Sequence, residues 1–227
     1  MRSWILTTLA LALAVGLMAP GTAQAGSNPD AVLAMHVGAQ VTKNQCDVVL
    51  PDCLGFNTNT LEQGFFNIYL TVGGYDSLGV AGVQFGIDYD DAPMSGVDID
   101  GWFSCSDLEF SADTWPAANS GNMMTWEYSL NCQVDPEFTT PAEARPVLVG
   151  VFQVAVYGPG TFAVTPRPVD GRAKVADCLG AEDDITDEMP SRLGIISFGL
   201  DNGYNPCSTL VPVQKTTWGG LKNLYTN

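Results

Sequence analysis

A period of two in the apolar residues runs through most of this chain and limits what it can fold into. In 31–41, 65–72 and 81–90, every second residue is apolar. Successive side chains of a strand point to opposite faces, so this pattern predicts strands with one buried face each. Helical spacing occurs in no long stretch apart from the last residues. The chain is therefore predicted to be all-β.

Three later segments continue the pattern. Alternation in 124–132 predicts a half-buried strand, with Trp126, Tyr128 and Leu130 on the buried side. Residues 146–157 are apolar on both faces at first, as in a central strand, and Gly158-Pro159-Gly160 then turns the chain into 161–165. A last strand is predicted at 193–198. Several short strands with turn signals and no intervening helices predict a β-sandwich, with a small barrel as the alternative.

The first 25 residues have the pattern of a signal peptide. A basic start at Arg2 is followed by an apolar run over 5–19, and Ala23-Gln24-Ala25 is a small-residue cleavage signature. The run is short for a membrane span, which disfavours the alternative of an uncleaved anchor, and no later segment is apolar enough to insert into a membrane. We expect residues 1–25 to be removed, residues 26–210 to form one β-sandwich domain, and 211–227 to be a tail. The protein would then be secreted, periplasmic or on the cell surface, with 26–30 as a frayed terminus.

The excess of acidic residues limits the classes of partner that this chain can bind. Nine basic residues face 25 acidic ones, a formal net charge of −16. Such a chain repels nucleic acid and anionic lipid, so neither is expected as a partner.

All six cysteines lie beyond the predicted signal peptide. An even count behind an export signal predicts three disulfides, for which 15 pairings are possible. The shortest loops favour pairing in sequence order. Zinc is the competing use, but the sequence has no C-x-x-C pair and one histidine, His36. The predicted bonds are Cys46–Cys53, Cys105–Cys132 and Cys178–Cys207.

Three segments carry a resemblance to a known family. Phe65-Phe66-Asn67-Ile68-Tyr69-Leu70-Thr71-Val72, the stretch GVAGVQFGIDYD at 79–90, and Gly150-Val151-Phe152-Gln153-Val154-Ala155-Val156 with the following Gly-Pro-Gly-Thr-Phe resemble an early strand, a middle strand and a later hairpin of the cohesins and related cellulose-binding sandwiches. The resemblance implies an immunoglobulin-like jelly-roll of about nine strands and a general binding role. No family contact residue is matched, so dockerin is not carried over as the partner.

The tail has a pattern of its own. Trp218-Gly219-Gly220-Leu221-Lys222-Asn223-Leu224-Tyr225 is similar to the W-G-x-[I/L]-K-x-[L/M]-Y endings of many secreted bacterial proteins. Thr217 could cap a short helix there, although two glycines weaken it. The tail is either a clip onto the sandwich or a sorting or docking signal.

Two groups of residues are candidate sites. The densest acidic run could supply oxygen ligands to calcium, the only cofactor considered, or could be an exposed loop. Two tryptophans outside the clearest buried rows could contact a sugar, because a flat ring covers the apolar face of a pyranose. The candidate calcium ligands are Glu182, Asp183, Asp184 and Asp187, and the candidate ligand-binding residues are Trp102 and Trp115.

Nothing in the sequence indicates catalysis. His36 lies in no recognisable motif, and there is no nucleophile elbow, metalloprotease motif or P-loop. The favoured function is a non-catalytic binding module outside the cell, recognising a protein or a polysaccharide. The alternatives are a structural subunit of a cell-surface layer or filament, and a small carbohydrate-active hydrolase with two facing acids.

Overall fold

The computed structural model describes residues 26–189 and 191–210 and shows an all-β sandwich, which confirms the predicted fold class. The predicted signal peptide, 1–25, and the predicted tail, 211–227, lie outside the described residues. The described part has twelve strands rather than about nine, because several strands are only two or three residues long. They are β1 Val32–Ala39, β2 Asn59–Thr60, β3 Gly64–Gly73, β4 Gly82–Tyr89, β5 Val97–Ser104, β6 Leu108–Glu109, β7 Ser120–Thr125, β8 Val147–Val156, β9 Gly160–Thr165, β10 Lys174–Ala176, β11 Glu182–Asp184 and β12 Ile195–Phe198.

The strands form two sheets. The smaller sheet has the order β1-β3-β8-β5, and all its pairs are antiparallel. The larger sheet has eight strands, in the order β11-β10-β4-β9-β12-β2, with β7 on β4 and β6 on β7. Two short 3-10 helices, Cys53–Gly55 and Pro206–Thr209, lie outside the sheets.

The main core fills the space between the sheets, and the rows predicted from alternation supply it. Leu33, Met35 and Val37 of β1 face the core together with alternate residues of β3 and β4. Burying such side chains stabilises the fold by about 1.5–3 kcal/mol each. The other members of these two rows are Ile68, Leu70, Val72, Val83, Phe85 and Ile87.

A second, smaller core lies on the outer side of the four-stranded sheet. Val32 and Ala34 of β1 point outward and pack with Cys53 and Phe56. Cys53 and Phe56 belong to segment 40–58, which we call the strap because it runs over the outer face of this sheet. The part of the four-stranded sheet beneath the strap is therefore covered on both sides, whereas Phe65 near the start of β3 remains exposed.

Hydrogen bonds hold the strap in place. The carbonyl of Val41 accepts from Asn67 Nδ2 at 3.3 Å and from Gln153 Nε2 at 3.0 Å. The backbone N–H of Asn57 donates to His36 Nδ1 at 2.9 Å. Tyr69 is buried beneath the strap, so β3 has buried side chains on its outer face as well as on its core face.

The described structure contains three disulfides, as predicted, but the predicted pairing was wrong. The bonds join Cys46 to Cys105, Cys53 to Cys207 and Cys132 to Cys178. Loop length favours sequence neighbours, whereas a sandwich brings together residues far apart in the chain. The two 3-10 helices pack together and so bring Cys53 and Cys207 into contact across a separation of 154 residues.

The strand predicted at 124–132 was also partly wrong. Strand β7 ends at Thr125, and Trp126 is core as predicted, but Tyr128 and Leu130 are 69% and 89% exposed. The backbone N–H and the hydroxyl of Ser129 donate to the carboxylate of Glu127. Side chains that bond their own backbone in this way compete with strand pairing and favour a turn.

The predicted hairpin after residue 150 is a change of sheet instead. Strand β8 pairs with β3 and β5, whereas β9, which follows the short connection 157–159, pairs with β4 and β12. The resemblance implied a hairpin because the turn residues Gly158-Pro159-Gly160 suit either connection.

The predicted fraying of residues 26–30 was wrong as well. Asn28 is completely buried, and its side chain donates to the Gly79 carbonyl and accepts from the N–H of Asp76. The start of the described chain is therefore fixed to the body of the sandwich.

Candidate binding surface

The outer face of the eight-stranded sheet differs from its counterpart, because among residues 26–189 and 191–210 only the loop 166–173 lies over it, at Gly86 and Gly121. We call it the open face and define it by the outward residues of β6, β7, β4, β10 and β11. Strand registers arrange these residues in rows across the sheet. One row is Leu108, Thr125, Gly82, Ala176 and Glu182, and the next is Phe110, Met123, Gln84, Lys174 and Asp184.

One end of the open face is apolar. Leu108 and Phe110 are 59% and 50% exposed and lie on the same side of the chain, two residues apart. Phe110 pairs through its backbone with Met123, which lies beside it. Exposed apolar side chains that adjoin one another mark surfaces of interaction more often than isolated ones do.

A pit lies in the middle of the open face because Gly82 has no side chain. Its volume is about 60 Å³, and Thr125 and Ala176 form part of its lining. A Cβ at Gly82 would lie 3.5 Å from the Cβ of Ala176, so the pit would be filled without a clash.

The other end of the open face is charged. Lys174 pairs with Glu182 at 2.8 Å, and Arg172 pairs with Asp184 at 2.9 Å. These residues line a groove of about 460 Å³ next to the pit. Three of the nine basic residues of this acidic chain, Arg167 among them, lie on or beside this face.

The carboxylate of Asp184 is held in its ionised form. Burial would raise its pKa, but hydrogen bonds from the hydroxyl and N–H of Thr186, together with the charge of Arg172, outweigh burial and lower the pKa. The Asp184 carboxylate is therefore held in the charged form that pairs with Arg172.

Gln84 fixes the loop that borders this face. Its Nε2 donates to both carboxylate oxygens of Asp170, at 3.0 and 2.8 Å, and Gln84 itself is nearly buried. The loop 166–173 lies close over the backbone at Gly121, where a Cβ would meet Arg167 Cγ. The border of the open face is therefore rigidly attached to β4.

Trp102 and Trp115, predicted to contact a ligand, lie together at one mouth of the sandwich. Their ring centroids are 5.3 Å apart, and the rings are nearly perpendicular at 86°. Trp102 also packs on Phe152, and its Nε1 donates to Glu109 at 2.8 Å. Both rings are partly buried against the main core, so they do not form a coplanar platform.

Trp102 points inward because of an irregularity in β5. The register against β8 shifts between Ile99 and Gly101, so Ile99 and Trp102 face the same side although they are three residues apart. A bulge of this kind shifts the alternation by one residue. Simple alternation along β5 could not predict this inward orientation of Trp102.

The four predicted calcium ligands do not share one site. Glu182 and Asp184 lie on the open face in ion pairs, Asp183 points to the other side and accepts from the N–H of Asn28, and Asp187 is exposed beyond the strand. Within residues 26–189 and 191–210, no group of three or more acidic, histidine or cysteine side chains is placed to hold a metal ion. Calcium binding stays a prediction without a geometric basis here.

His36 lies under the strap rather than in an open cleft. Its ring contacts Phe56 and Tyr69, and burial lowers its pKa. A neutral ring suits the hydrogen bond that Nδ1 accepts from Asn57, so a role in holding the strap accounts for its surroundings.

The residues of the apolar end were missed from the sequence. The sequence signal for them is the short alternation Leu108-Glu109-Phe110. In the structure Glu109 faces the core side, where its carboxylate accepts hydrogen bonds from Trp102 and Asn122. Three residues of alternation are too few to distinguish a strand from a loop.

The described part of the chain has no helix with the length and apolar character needed to cross a membrane. No protein-family model matches the chain. No curated protein matches it either.

The solved structures that are similar to this chain include cohesin modules, the family that the sequence resembles. One is the cohesin module from the family 33 glycoside hydrolase of Clostridium perfringens, with 10% identity, 74% of this chain and 96% of that chain covered, and a TM-score of 0.42. A type II cohesin domain from the cellulosome of Acetivibrio cellulolyticus has 10% identity, 74% and 95% coverage, and a TM-score of 0.42. The sixth cohesin of scaffoldin B from Acetivibrio cellulolyticus, solved in complex with a Cel5 dockerin, has 6% identity, 74% and 99% coverage, and a TM-score of 0.41. No residue role is carried over from these structures.

Proposed function

We propose that this chain is a non-catalytic, extracellular binding module that recognises a partner protein through the open face. The observation that supports this most directly is the exposed pair Leu108 and Phe110, which lies in line with the pit at Gly82 and the ion pairs around Lys174. Exposed apolar side chains that adjoin polar and charged groups are a usual composition of a protein interface.

Recognition of this kind needs no bond chemistry. A partner side chain would enter the pit, while polar groups of the partner would exchange with the Lys174–Glu182 and Arg172–Asp184 pairs. Buried anchors near the centre of an interface usually supply most of the binding energy. Phe110, close to the pit and half-exposed, is the residue that we expect to contribute most.

A polysaccharide is the second candidate ligand, and the arrangement of Trp102 and Trp115 favours it less. Stacking on consecutive sugar rings requires aromatic faces that lie side by side, whereas these two rings meet edge to face and pack on Phe152. Protein recognition is therefore the stronger proposal.

The test is to immobilise the purified protein and to identify which proteins secreted by the producing organism it retains. Phe110→Asp places a charge at the apolar end, and Phe65→Asp is the matched control, because Phe65 is a similarly exposed phenylalanine on the other sheet. We expect one partner to be retained by the wild type and by Phe65→Asp, and to be lost with Phe110→Asp. Retention by all three proteins would contradict the proposal, as would glycan-array binding that depends on Trp102.

A further inference from the structure

The first described residues lie against two carboxylates of the hairpin formed by β10 and β11. The backbone N–H of Ser27 donates to Asp177 Oδ2 at 3.3 Å, and the N–H of Asn28 donates to Asp183 Oδ2 at 2.6 Å. These bonds join the start of the chain to a hairpin about 150 residues later in the sequence.

Asp177 is buried, with 2% of its surface exposed. Its Oδ1 accepts from the N–H groups of Leu179 and Ala181, at 2.9 and 3.0 Å. No lysine or arginine of the described residues forms an ion pair with Asp177 or Asp183. A carboxylate taken out of water without a cation is costly, so a positive group near this pair would stabilise the fold.

Gly26 lies directly at the Asp183 carboxylate. A Cβ on Gly26 would overlap the carboxylate of Asp183 and would approach the Ala181 carbonyl to 3.1 Å. A side chain at this position would displace the Asp183 carboxylate, and the backbone nitrogen of Gly26 is two bonds from the point where that Cβ would lie. The residue in this position is the one that would follow the predicted cleavage after Ala25.

We propose that removal of residues 1–25 creates the missing counter-ion, because the α-ammonium group of Gly26 then pairs with Asp183, next to the buried Asp177. A signal peptidase would hydrolyse the Ala25–Gly26 amide with one water, leaving a carboxylate on Ala25 and an amine on Gly26. That amine takes up a proton at neutral pH, since α-amino groups ordinarily have pKa values of about 7.7–8.0. An uncleaved chain has a neutral amide nitrogen at the same place.

The ion pair links processing to the shape of the open face. The hairpin of β10 and β11 carries the charged groove lined by Arg172, Lys174 and Glu182. Fixing Asp183 from behind holds β11 against β10, with which it pairs over only three residues. The mature chain would therefore have a more rigid groove than the precursor. The inference depends on the predicted cleavage and not on the proposed binding function.

The experiment expresses the full chain, including residues 1–25, in a host that secretes it, and first determines the amino-terminal residue by mass spectrometry. We expect Gly26. A variant with one alanine inserted between Ala25 and Gly26 moves the ammonium group away from the carboxylates. We expect this insertion to lower Tm by about 5 °C.

Coupling between the insertion and Asp183→Asn separates an ion pair from a general disturbance. Asp183→Asn alone should lower Tm, and the insertion should have little further effect in that background, because both changes remove the same interaction. Asp184→Asn is the matched control in the same strand, and there the insertion should retain its full effect. Additive effects with Asp183→Asn, or a first residue other than Gly26, would overturn the proposal.

The pH dependence provides a second readout. The pair exists while the amine is protonated, so its contribution is complete below the unfolded pKa of about 7.7–8.0 and is lost as pH rises through the higher folded value. The acidic side chains that pack around 26–28 are Asp177, Asp183 and Asp76, whose carboxylate accepts from Ser77. We expect the Tm difference between wild type and insertion to shrink above about pH 9. A difference that is constant with pH would contradict the ion pair.

Discussion

The two sheets of this sandwich have outer faces of opposite character. On the four-stranded sheet, Tyr69 points outward and is nevertheless buried beneath the strap 40–58, although Phe65 at the start of β3 stays exposed. On the eight-stranded sheet, Leu108 and Phe110 point outward and remain exposed. The same alternation along the strands therefore produces a second core in one place and a surface in the other.

The difference lies in what holds each face. Two disulfides, Cys46–Cys105 and Cys53–Cys207, attach the strap to the covered face. The open face has exposed ion pairs, which contribute little to stability. The covered face should therefore determine stability, and the open face recognition.

The largest effect is expected from opening the covered face. Replacing Cys53 and Cys207 together by alanine removes a cross-link that spans 154 residues, which should cost about 5 kcal/mol in the chain-entropy account. We expect Tm to fall by about 10 °C in a thermal melt. The matched control is the Cys132 and Cys178 pair, with a separation of 46 residues, whose removal should cost about 1 kcal/mol less.

Truncating an aromatic side chain to alanine should destabilise the fold more on the covered face than on the open face. Tyr69→Ala leaves a cavity under the strap and is expected to cost about 3 kcal/mol in denaturant unfolding. Phe110→Ala removes a half-exposed ring and should cost less than about 0.5 kcal/mol while weakening partner binding. Equal stability losses would mean that the open face is covered by something in solution.

The covered face should also respond to pH through His36. Burial lowers the pKa of His36 from 6.5, so the unfolded chain binds the proton more readily than the folded one. The stabilisation from the neutral ring is therefore complete above about pH 6.5 and is lost as pH falls from there to the lower folded value. Protonation also removes the acceptor for the N–H of Asn57, which is worth about 1 kcal/mol.

The measurement for His36 is Tm between pH 4 and pH 8. Wild type should lose stability below pH 6.5 more steeply than His36→Gln, which keeps an acceptor but does not titrate. Parallel curves would show that the strap does not depend on this ring. The variant is needed as the reference because carboxylates elsewhere also titrate in this range.

A smaller effect is expected on the open face. Exchanging the charges of one ion pair, by Lys174→Glu with Glu182→Lys, should change the free energy of unfolding by less than about 0.5 kcal/mol, because both side chains reach solvent. Partner affinity should fall, since the positions of the charges are reversed. Unchanged affinity would place the interface elsewhere.

Chelation should have the smallest effect. The carboxylates of Glu182, Asp183 and Asp184 point to two sides of β11 and already have partners. We therefore expect Tm to be the same with EDTA as with millimolar calcium. An increase in Tm with calcium would show that these side chains rearrange around the ion.

The sequence predicts the main core well because burial and alternation are both local. Leu33, Ile68 and Phe85 are all where alternation places them. The strap is not predictable in this way, since its contacts with Tyr69 and His36 depend on chain folded back over the sheet. The bulge before Trp102 and the sheet change after β8 likewise depend on neighbouring strands.

The candidate site was largely hidden for the same reason. Leu108 and Phe110 acquire their meaning from Met123 and Gly82, which lie on other strands. The acidic run was visible, but the sequence did not show that Arg172 and Lys174 would lie opposite it in β10. In both the apolar end and the acidic run, the neighbours of each residue come from strands that are distant in the sequence.

Strand β11 has a consequence for assembly. It is three residues long and ends the eight-stranded sheet, with the carboxylates of Glu182 and Asp184 on its open-face side. A second copy that approached this edge to extend the sheet would find a short template and like charges, which proteins commonly use to prevent edge-to-edge aggregation. Fibre growth by strand addition at this edge is therefore disfavoured, and a filament-forming role would require a different contact.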